Sequence, residues 1–412
     1  MIYTLIIHLY AFMVELIAPL HKKARLMRLG QWKTNSILRN NIDPDAKYIW
    51  FHASSLGEFE QGRPVIEKIK AEHPEYKILL TFFSPSGYEV RKNYEGADVI
   101  CYLPFDTPYR VNKFLNLANP AIAVFIKYEF WANYLKELKR REIPVYIISA
   151  IFRPQQIFFK WYARSYRKVL TCFTHLFVQD DSSRDLLASF GIKNVTIAGD
   201  TRFDRVLDVQ RKARVIEVVQ QFVSHPENEK QTVLVAGSSW PQDEELFINY
   251  FNERPEMKLI IAPHEIHKEH LLGIAALLKR KSIRLSEATS GESMEGVDCL
   301  IIDSFGLLSS IYRYGEVAYI GGGFGAGIHN VLEAAVYGIP VIFGPKFQKF
   351  KEARDLLQVG GAFTISDKES FDSCMNNLLT YPELKAEADK QARDYVRNHA
   401  GVTDRIIKEL PL

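Results

Sequence analysis

The sequence predicts an α/β protein built as two successive open parallel sheets, each covered by helices, and three observations carry that prediction. Short β-rich apolar runs recur at residues 48–52, 78–82, 121–126, 145–148, 176–178 and 195–197. Runs that are apolar throughout suit strands buried on both faces, as in a parallel sheet. Between them lie segments such as 134–141, whose apolar spacing and charges suit crossover helices. After a polar stretch at 224–231 the pattern restarts, with runs at 233–236, 259–262, 300–302, 317–320 and 341–343. Ligands of open α/β sheets bind at the carboxyl ends of the strands, so two such domains imply a cleft between them, with motifs at strand ends.

Composition narrows the class. With 412 residues, 47% hydrophobic and 25% charged, the chain is long enough for two full cores, and its net charge of +3 gives no reason to expect nucleic acid as a partner. Cys101, Cys172, Cys299 and Cys374 are scattered without metal-ligand spacing, which suits a reducing compartment and no structural zinc.

Residues 1–20 are apolar apart from His8 and Glu15, and Lys22, Lys23, Arg25 and Arg28 follow. A cleaved signal peptide would carry its basic residues before the apolar stretch. The order here predicts a membrane-associated helix, interfacial or barely spanning, with the rest of the chain on the cytoplasmic face. The alternative is an amphipathic helix packed on the first domain.

Motifs do fall at the predicted strand ends. His52-Ala53-Ser54-Ser55-Leu56-Gly57-Glu58 follows the first strand, and Tyr128-Glu129-Phe130-Trp131 follows another. In the second series Ala236-Gly237-Ser238-Ser239, Pro263-His264-Glu265 and Gly344-Pro345 take the same place. Gly321-Gly322-Gly323-Phe324-Gly325-Ala326-Gly327 ends a further strand and leads toward His329, Asn330 and Glu333. Glycines let backbone N–H groups approach a phosphate, and Asn330 and Glu333, three apart, share a helix face from which Glu333 can accept ribose hydroxyls. Alternatively the glycines serve strand–helix packing and Glu333 is a solvated helix residue.

Taken together the motifs resemble the Kdo transferases, which attach 3-deoxy-D-manno-octulosonic acid (Kdo) from CMP-Kdo to lipid A precursors. The likeness spans nearly the whole chain. Beyond the motifs above it rests on Thr81-Phe82-Phe83-Ser84-Pro85-Ser86-Gly87, Leu103-Pro104-Phe105-Asp106, Gly199-Asp200-Thr201-Arg202-Phe203-Asp204, His329-Asn330-Val331-Leu332-Glu333 and Gly338-Ile339-Pro340-Val341. The resemblance implies a GT-B fold, two Rossmann-like domains facing across a cleft. It also implies a metal-independent inverting transfer, no cofactor, and an anchor at the cytoplasmic face of the inner membrane, in lipopolysaccharide biosynthesis. The expected division is an anchor helix at 1–30, an acceptor domain at 31–210, a CMP-Kdo domain at 211–390, and a final helix at 391–412 packing back on the first domain.

Three departures from the family pattern stand out. Trp131-Ala132-Asn133 replaces Trp-Pro-Asn. Asp200-Thr201-Arg202-Phe203-Asp204 replaces Asn-Leu-Lys-Phe-Asp, keeping a cation at Arg202. Pro263-His264-Glu265 replaces Pro-Arg-His, removing a permanent cation toward the donor phosphate; His264, His267 and Lys268 are the candidates to replace it.

Transfer to a hydroxyl needs a base, and Glu58 is the candidate, at the position where the family places its own. Otherwise Glu58 is a first-turn glutamate favoured by the helix dipole. Glu129 could bind acceptor hydroxyls or orient that base, with Glu60 a weaker rival, or could be a buried carboxylate satisfied by backbone amides. Ser55, Gly57 and Arg202 are placed toward the acceptor or the Kdo carboxylate, Arg202 alternatively pairing with Asp200 or Asp204. Ser238, Ser239, Pro263, His264, Gly322, Gly323, Asn330 and Glu333 are placed on the donor, with helix capping as the alternative for the two serines. His52 is either catalytic or a hydrogen-bonded structural histidine. Phe158, Phe159, Trp161 and Tyr162 read first as packing and second as interfacial contacts. The rival functions are another GT-B enzyme, glycosyltransferase or nucleotide-sugar epimerase, and a two-lobed binding protein that needs no Glu58.

Overall fold

The computed structural model describes residues 2–213, 215–224 and 231–412. The core of the polar stretch expected between the two sheets, 225–230, lies outside the described residues. Chain contacts divide the protein into two compact units, Met1–Arg205 with Ala400–Leu412, and Val206–His399.

The first unit holds a seven-stranded sheet of β1 Lys47–Ala53, β2 Tyr76–Phe82, β3 Val99–Tyr102, β4 Ile122–Ile126, β5 Val145–Ala150, β6 His175–Val178 and β7 Val195–Ile197. Their order is β3-β2-β1-β4-β5-β6-β7, with parallel pairing throughout. Side chains alternate across this sheet, as the two-residue period requires. Tyr48, Trp50, Ala123 and Phe125 enter one core, and Ile49, Phe51, Val124 and Ile126 enter the other.

The second unit repeats the plan with β8 Thr232–Ser239, β9 Met257–Pro263, β10 Ser282–Arg284, β11 Cys299–Ile301, β12 Val317–Ile320, β13 Val341–Phe343 and β14 Ala362–Thr364. The order is β10-β11-β9-β8-β12-β13-β14, again parallel. The strands absent from the sequence reading are β3, β10 and β14, which form three of the four sheet edges. Each is only three or four residues long, too short for a period to show.

Strand order reverses at one place in each sheet, between β1 and β4 and between β8 and β12. There the loops leave in opposite directions and open a crevice at the carboxyl ends. The first switch point receives the loops after His52 and Ile126, and the second those after Ser239 and Ile320.

The amino terminus forms helix α1, Ile2–Ile17, and helix α2, Lys22–Asn41, meeting at a 115° bend. No single described helix is long and apolar enough to cross a membrane. One face of α1 packs Ile7, Ala11 and Val14 against Met27 and Phe105, while Leu5, Leu9, Phe12 and Leu16 are exposed. The aromatic cluster divides too: Phe158 is buried, whereas Trp161 is 88% exposed.

The last helix, Val402–Glu409, packs on helix α3, Leu56–Glu72, through Val402, Ile406 and Ile407. Asp204 ties it down, accepting from the Gly401 N–H at 2.6 Å and from the Thr403 N–H and Oγ1 at 2.6 and 2.7 Å.

Candidate active site

At the β1/β4 switch point the chain turns from β1 through Ser54 and Ser55 into α3. Glu58 is the third residue of that helix, and its Oε2 accepts the N–H groups of Ser54 at 2.7 Å and Ser55 at 3.1 Å. The first-turn glutamate of the sequence reading is therefore present as a capping interaction. Its pKa nevertheless moves the other way. Burial raises it first and the neighbouring Glu129 raises it further, against the lowering influence of His52, the Ser54 N–H and Lys127. Burial thus outweighs the capping bonds in setting the direction of the shift.

Glu129, 6% exposed, follows β4. Backbone amides were one expectation for it; side chains hold it instead. Its Oε2 lies 3.0 Å from His52 Nε2 and accepts from Trp131 Nε1 at 2.6 Å. His52 is fully buried, with Nδ1 2.9 Å from Thr81 Oγ1, which also accepts from Trp50 Nε1 at 2.8 Å. Nδ1 also lies 3.2 Å from the Thr81 carbonyl oxygen, and Trp131 Nε1 is 3.1 Å from Nε2, so both ring nitrogens of His52 are engaged.

Lys127, which the sequence reading passed over, sits between β4 and Glu129 with φ of +67°. Ser238, at the end of β8, has φ of +53°. A non-glycine residue in this region carries strain, and both are at switch points. Gly57 has nothing within 4 Å of where a Cβ would stand, so packing does not demand glycine there.

Two other residues of this unit are committed elsewhere. Glu60 pairs with Arg91 at 2.8 Å and with Arg205 at 3.3 Å. Arg202 places Nε and Nη2 at 2.9 and 2.7 Å from Asp200 Oδ2, the ion-pair alternative of the sequence reading.

In the second unit a cavity of about 290 Å³ is lined by Ser238, Pro263, His264 and Glu333, four of the donor candidates. Ser304, Phe305 and Ser309 are also among its lining residues, and sequence reasoning missed them because they follow β11 without a distinctive motif. Asn330 donates from Nδ2 to Glu333 Oε1 at 3.0 Å and accepts the Leu332 N–H, so it holds Glu333 from just before the helix Leu332–Ala335.

In the glycine turn Gly322 donates its N–H to Asp243 Oδ2 at 2.9 Å, so that N–H is not available to a phosphate. A Cβ on Gly323 would stand 2.5 Å from Gly344 Cα, and one on Gly321 would stand 2.2 Å from the Ser238 carbonyl oxygen. Close backbone packing explains these glycines. Ser239 is likewise buried and donates to Glu244 Oε1 at 2.8 Å, while Trp240 rather than Ser239 occupies the position that starts the helix Pro241–Asn252.

Of the replacement cations, His267 caps its helix and pairs with Glu265 at 3.2 Å, while His264 lines the cavity between the rings of Trp240 and His329. Burial, with His264 beside it, pushes the pKa of His329 down to about 4, so that ring is neutral at neutral pH.

Residues 23–205 match the family described as 3-Deoxy-D-manno-octulosonic-acid transferase (kdotransferase). The chain is 28% identical over 349 residues to a 3-deoxy-D-manno-octulosonic acid transferase of Aquifex aeolicus, covering 82% of this chain and 88% of that one. It is 25% identical over 385 residues to the Bordetella pertussis protein of the same name, covering 89% and 87%. Among solved structures, UDP-GlcNAc 2-epimerase from Neisseria meningitidis aligns with a TM-score of 0.61 at 14% identity, over 88% of this chain and 98% of that one. At that identity the likeness concerns the fold alone, two Rossmann-like units of the GT-B class.

Proposed function

On the strength of these similarities, we propose that the chain is a Kdo transferase that moves Kdo from CMP-Kdo to a lipid A precursor with inversion, using Glu58 as general base and no metal ion. The observation that carries this reading is the cluster of half-buried Glu58 with buried Glu129 and His52 at the β1/β4 switch point, with the Glu58 pKa raised. In the proposed step the acceptor hydroxyl gives its proton to Glu58 as its oxygen bonds the anomeric carbon. The bond from that carbon to the CMP phosphate breaks, and CMP leaves with the electron pair. Both capping bonds fall on Oε2, so Oε1 is assigned to the acceptor.

A raised pKa makes the carboxylate a better proton acceptor at neutral pH, while His52 and Trp131 hold Glu129 in place beside it. Gly57 and Ser55 border the same turn and are assigned to the sugar. On the donor side Glu333 is assigned to the ribose hydroxyls and Ser238 and His264 to the phosphate. The exposed apolar face of α1 and the basic start of α2 support placement at the cytoplasmic face of the inner membrane, where the acceptor resides.

Offering CMP-Kdo and a tetraacylated disaccharide phosphate, with mass spectrometry of the lipid product, tests donor, acceptor and stoichiometry together. CMP release requiring both substrates is expected. Its absence, or turnover with a UDP-sugar instead, would reject the assignment in favour of another GT-B activity.

A further inference from the structure

A second cavity lies in the first unit, and neither Glu58, Glu129 nor His52 is among its lining residues. It measures about 210 Å³ and is lined by Gln31, Trp32 and Asn35 of α2, Pro104, and Tyr109, Arg110 and Lys113 of the helix Pro108–Ala118. That is the share of liquid volume of about seven waters, too small for a drug-sized ligand and adequate for a headgroup. On both helices the lining residues stand at i, i+1 and i+4, so each helix turns one face inward.

The chemistry of the lining is one-sided. Gln31 is 5% exposed, and its Oε1 accepts the Phe105 N–H at 3.2 Å, which fixes the orientation of the amide. Its Nε2 is buried and has no partner among the described residues. A buried donor left unpaired is costly, and one beside a cavity calls for an acceptor there. Arg110 stands over the Phe105 ring and Lys113 over the Tyr109 ring, and neither forms an ion pair among the described residues. The helix Pro108–Ala118 and α2 contain no carboxylate, whereas α2 alone carries Lys22, Lys23, Arg25, Arg28, Lys33 and Arg39. Donors from an amide, a guanidinium and an ammonium converge on a group that only accepts and is negatively charged, which describes phosphate.

Two neighbouring features indicate what carries the phosphate. Trp32 and Tyr109, 55% and 75% exposed, flank the cavity, and amphipathic rings of this kind settle at the level of lipid headgroups. The exposed Leu5, Leu9, Phe12 and Leu16 of α1 lie on the helix that joins α2 through the bend. We propose that this cavity binds the phosphate headgroup of an anionic membrane lipid, with Arg110, Lys113 and the Gln31 amide as its ligands. The proposal rests on the membrane placement above but not on which sugar is transferred, and its test reads binding without turnover.

The experiment titrates the full-length protein with short-chain phosphatidic acid below its micelle concentration and follows the Trp32 contribution to fluorescence, identified by its loss in Trp32→Phe. Saturable binding is expected in the wild type, weakened about 20-fold in Arg110→Ala/Lys113→Ala and within twofold of wild type in Lys22→Ala/Lys23→Ala. Unchanged affinity in the cavity variant, or equal loss in the two double variants, overturns the site. Competition by inorganic phosphate at the same concentration as the lipid reassigns it to a free anion and overturns the lipid. Equal thermal midpoints of all variants are required for the comparison. Partition onto phosphatidylcholine vesicles, measured alongside, reports on α1 by itself and separates failure of the membrane placement from failure of the cavity.

Discussion

At the β1/β4 switch point Gly57 has open space around it and a half-buried carboxylate one residue on, whereas at the β8/β12 switch point Gly321, Gly322 and Gly323 are pressed against neighbouring backbone. Both places sit at the carboxyl ends of central parallel strands and both lead toward a glutamate, Glu58 or Glu333. In the first, the loop is short and the helix starts at once, so the work falls on charge: burial and Glu129 raise the Glu58 pKa. In the second, the glycines close a turn in which the N–H groups of Gly321, Gly322, Gly325 and Gly327 are used internally, and a cavity is lined beside it by Ser238, Pro263, His264 and the segment after β11. A glycine-rich turn at a strand end therefore does not by itself identify a phosphate cradle. What distinguishes the two is whether the missing Cβ leaves room for a ligand or for the protein's own chain.

The largest effect expected from breaking the first site is that of Glu58→Gln, which should lower kcat by roughly 10²- to 10⁴-fold with little change in KM for either substrate, measured as CMP release. The same variant should melt higher than wild type at neutral pH. A carboxyl whose pKa is raised on folding contributes its stability below the ordinary glutamate range and loses it as pH rises through the raised value. The gap should therefore close in acid, and a Glu58→Gln midpoint below wild type at neutral pH would contradict the burial argument.

Exchanging the glycines tests the contrast directly. Gly57→Ala should leave the thermal midpoint unchanged or slightly higher while lowering turnover by about 100-fold, because the intruding methyl displaces a sugar. Gly323→Ala should lower the midpoint by roughly 5 to 10 °C, because the methyl meets backbone that has nowhere to go. Matching behaviour of the two variants would dissolve the distinction.

A smaller effect is expected from Glu129→Gln. Removing its negative charge lowers the Glu58 pKa, so the acidic limb of the pH–rate profile should move to lower pH, with kcat reduced about tenfold through lost positioning. A limb that stays in place would remove Glu129 from the electrostatics of the base. The smallest effect belongs to the second site. His264→Arg, which restores the cation usual in the family, should lower KM for CMP-Kdo by roughly fivefold; an unchanged KM would place the phosphate elsewhere.

Much of this protein was legible before any coordinates. Long apolar runs such as those at β1, β4, β8 and β12 can be satisfied only by strands covered on both faces, and local pattern alone reveals them. The motif after β1 likewise marked Glu58, because a glutamate in the first turn of a helix after a buried strand is a local arrangement. The edge strands β10 and β14 were not legible, since Ser282-Ile283-Arg284 and Ala362-Phe363-Thr364 lack the continuous apolar run that marked β11 and β13.

Partnership was decided by the tertiary structure alone. Nothing in the chain near His52 shows that its ring reaches Glu129 at 3.0 Å, or that Asp243 takes the N–H of Gly322. Nor does it show that Arg202 spends its guanidinium on Asp200 while Asp204 holds the carboxyl-terminal helix. Sequence by itself determined the strands, the class of fold and the positions where a ligand could be met, because those follow from short-range pattern and strand polarity. Which groups are buried together, and hence which carboxylate has its pKa raised and which N–H is left for a ligand, depends on neighbours distant in the chain. Burial and charge act through space, and only the folded arrangement specifies that space.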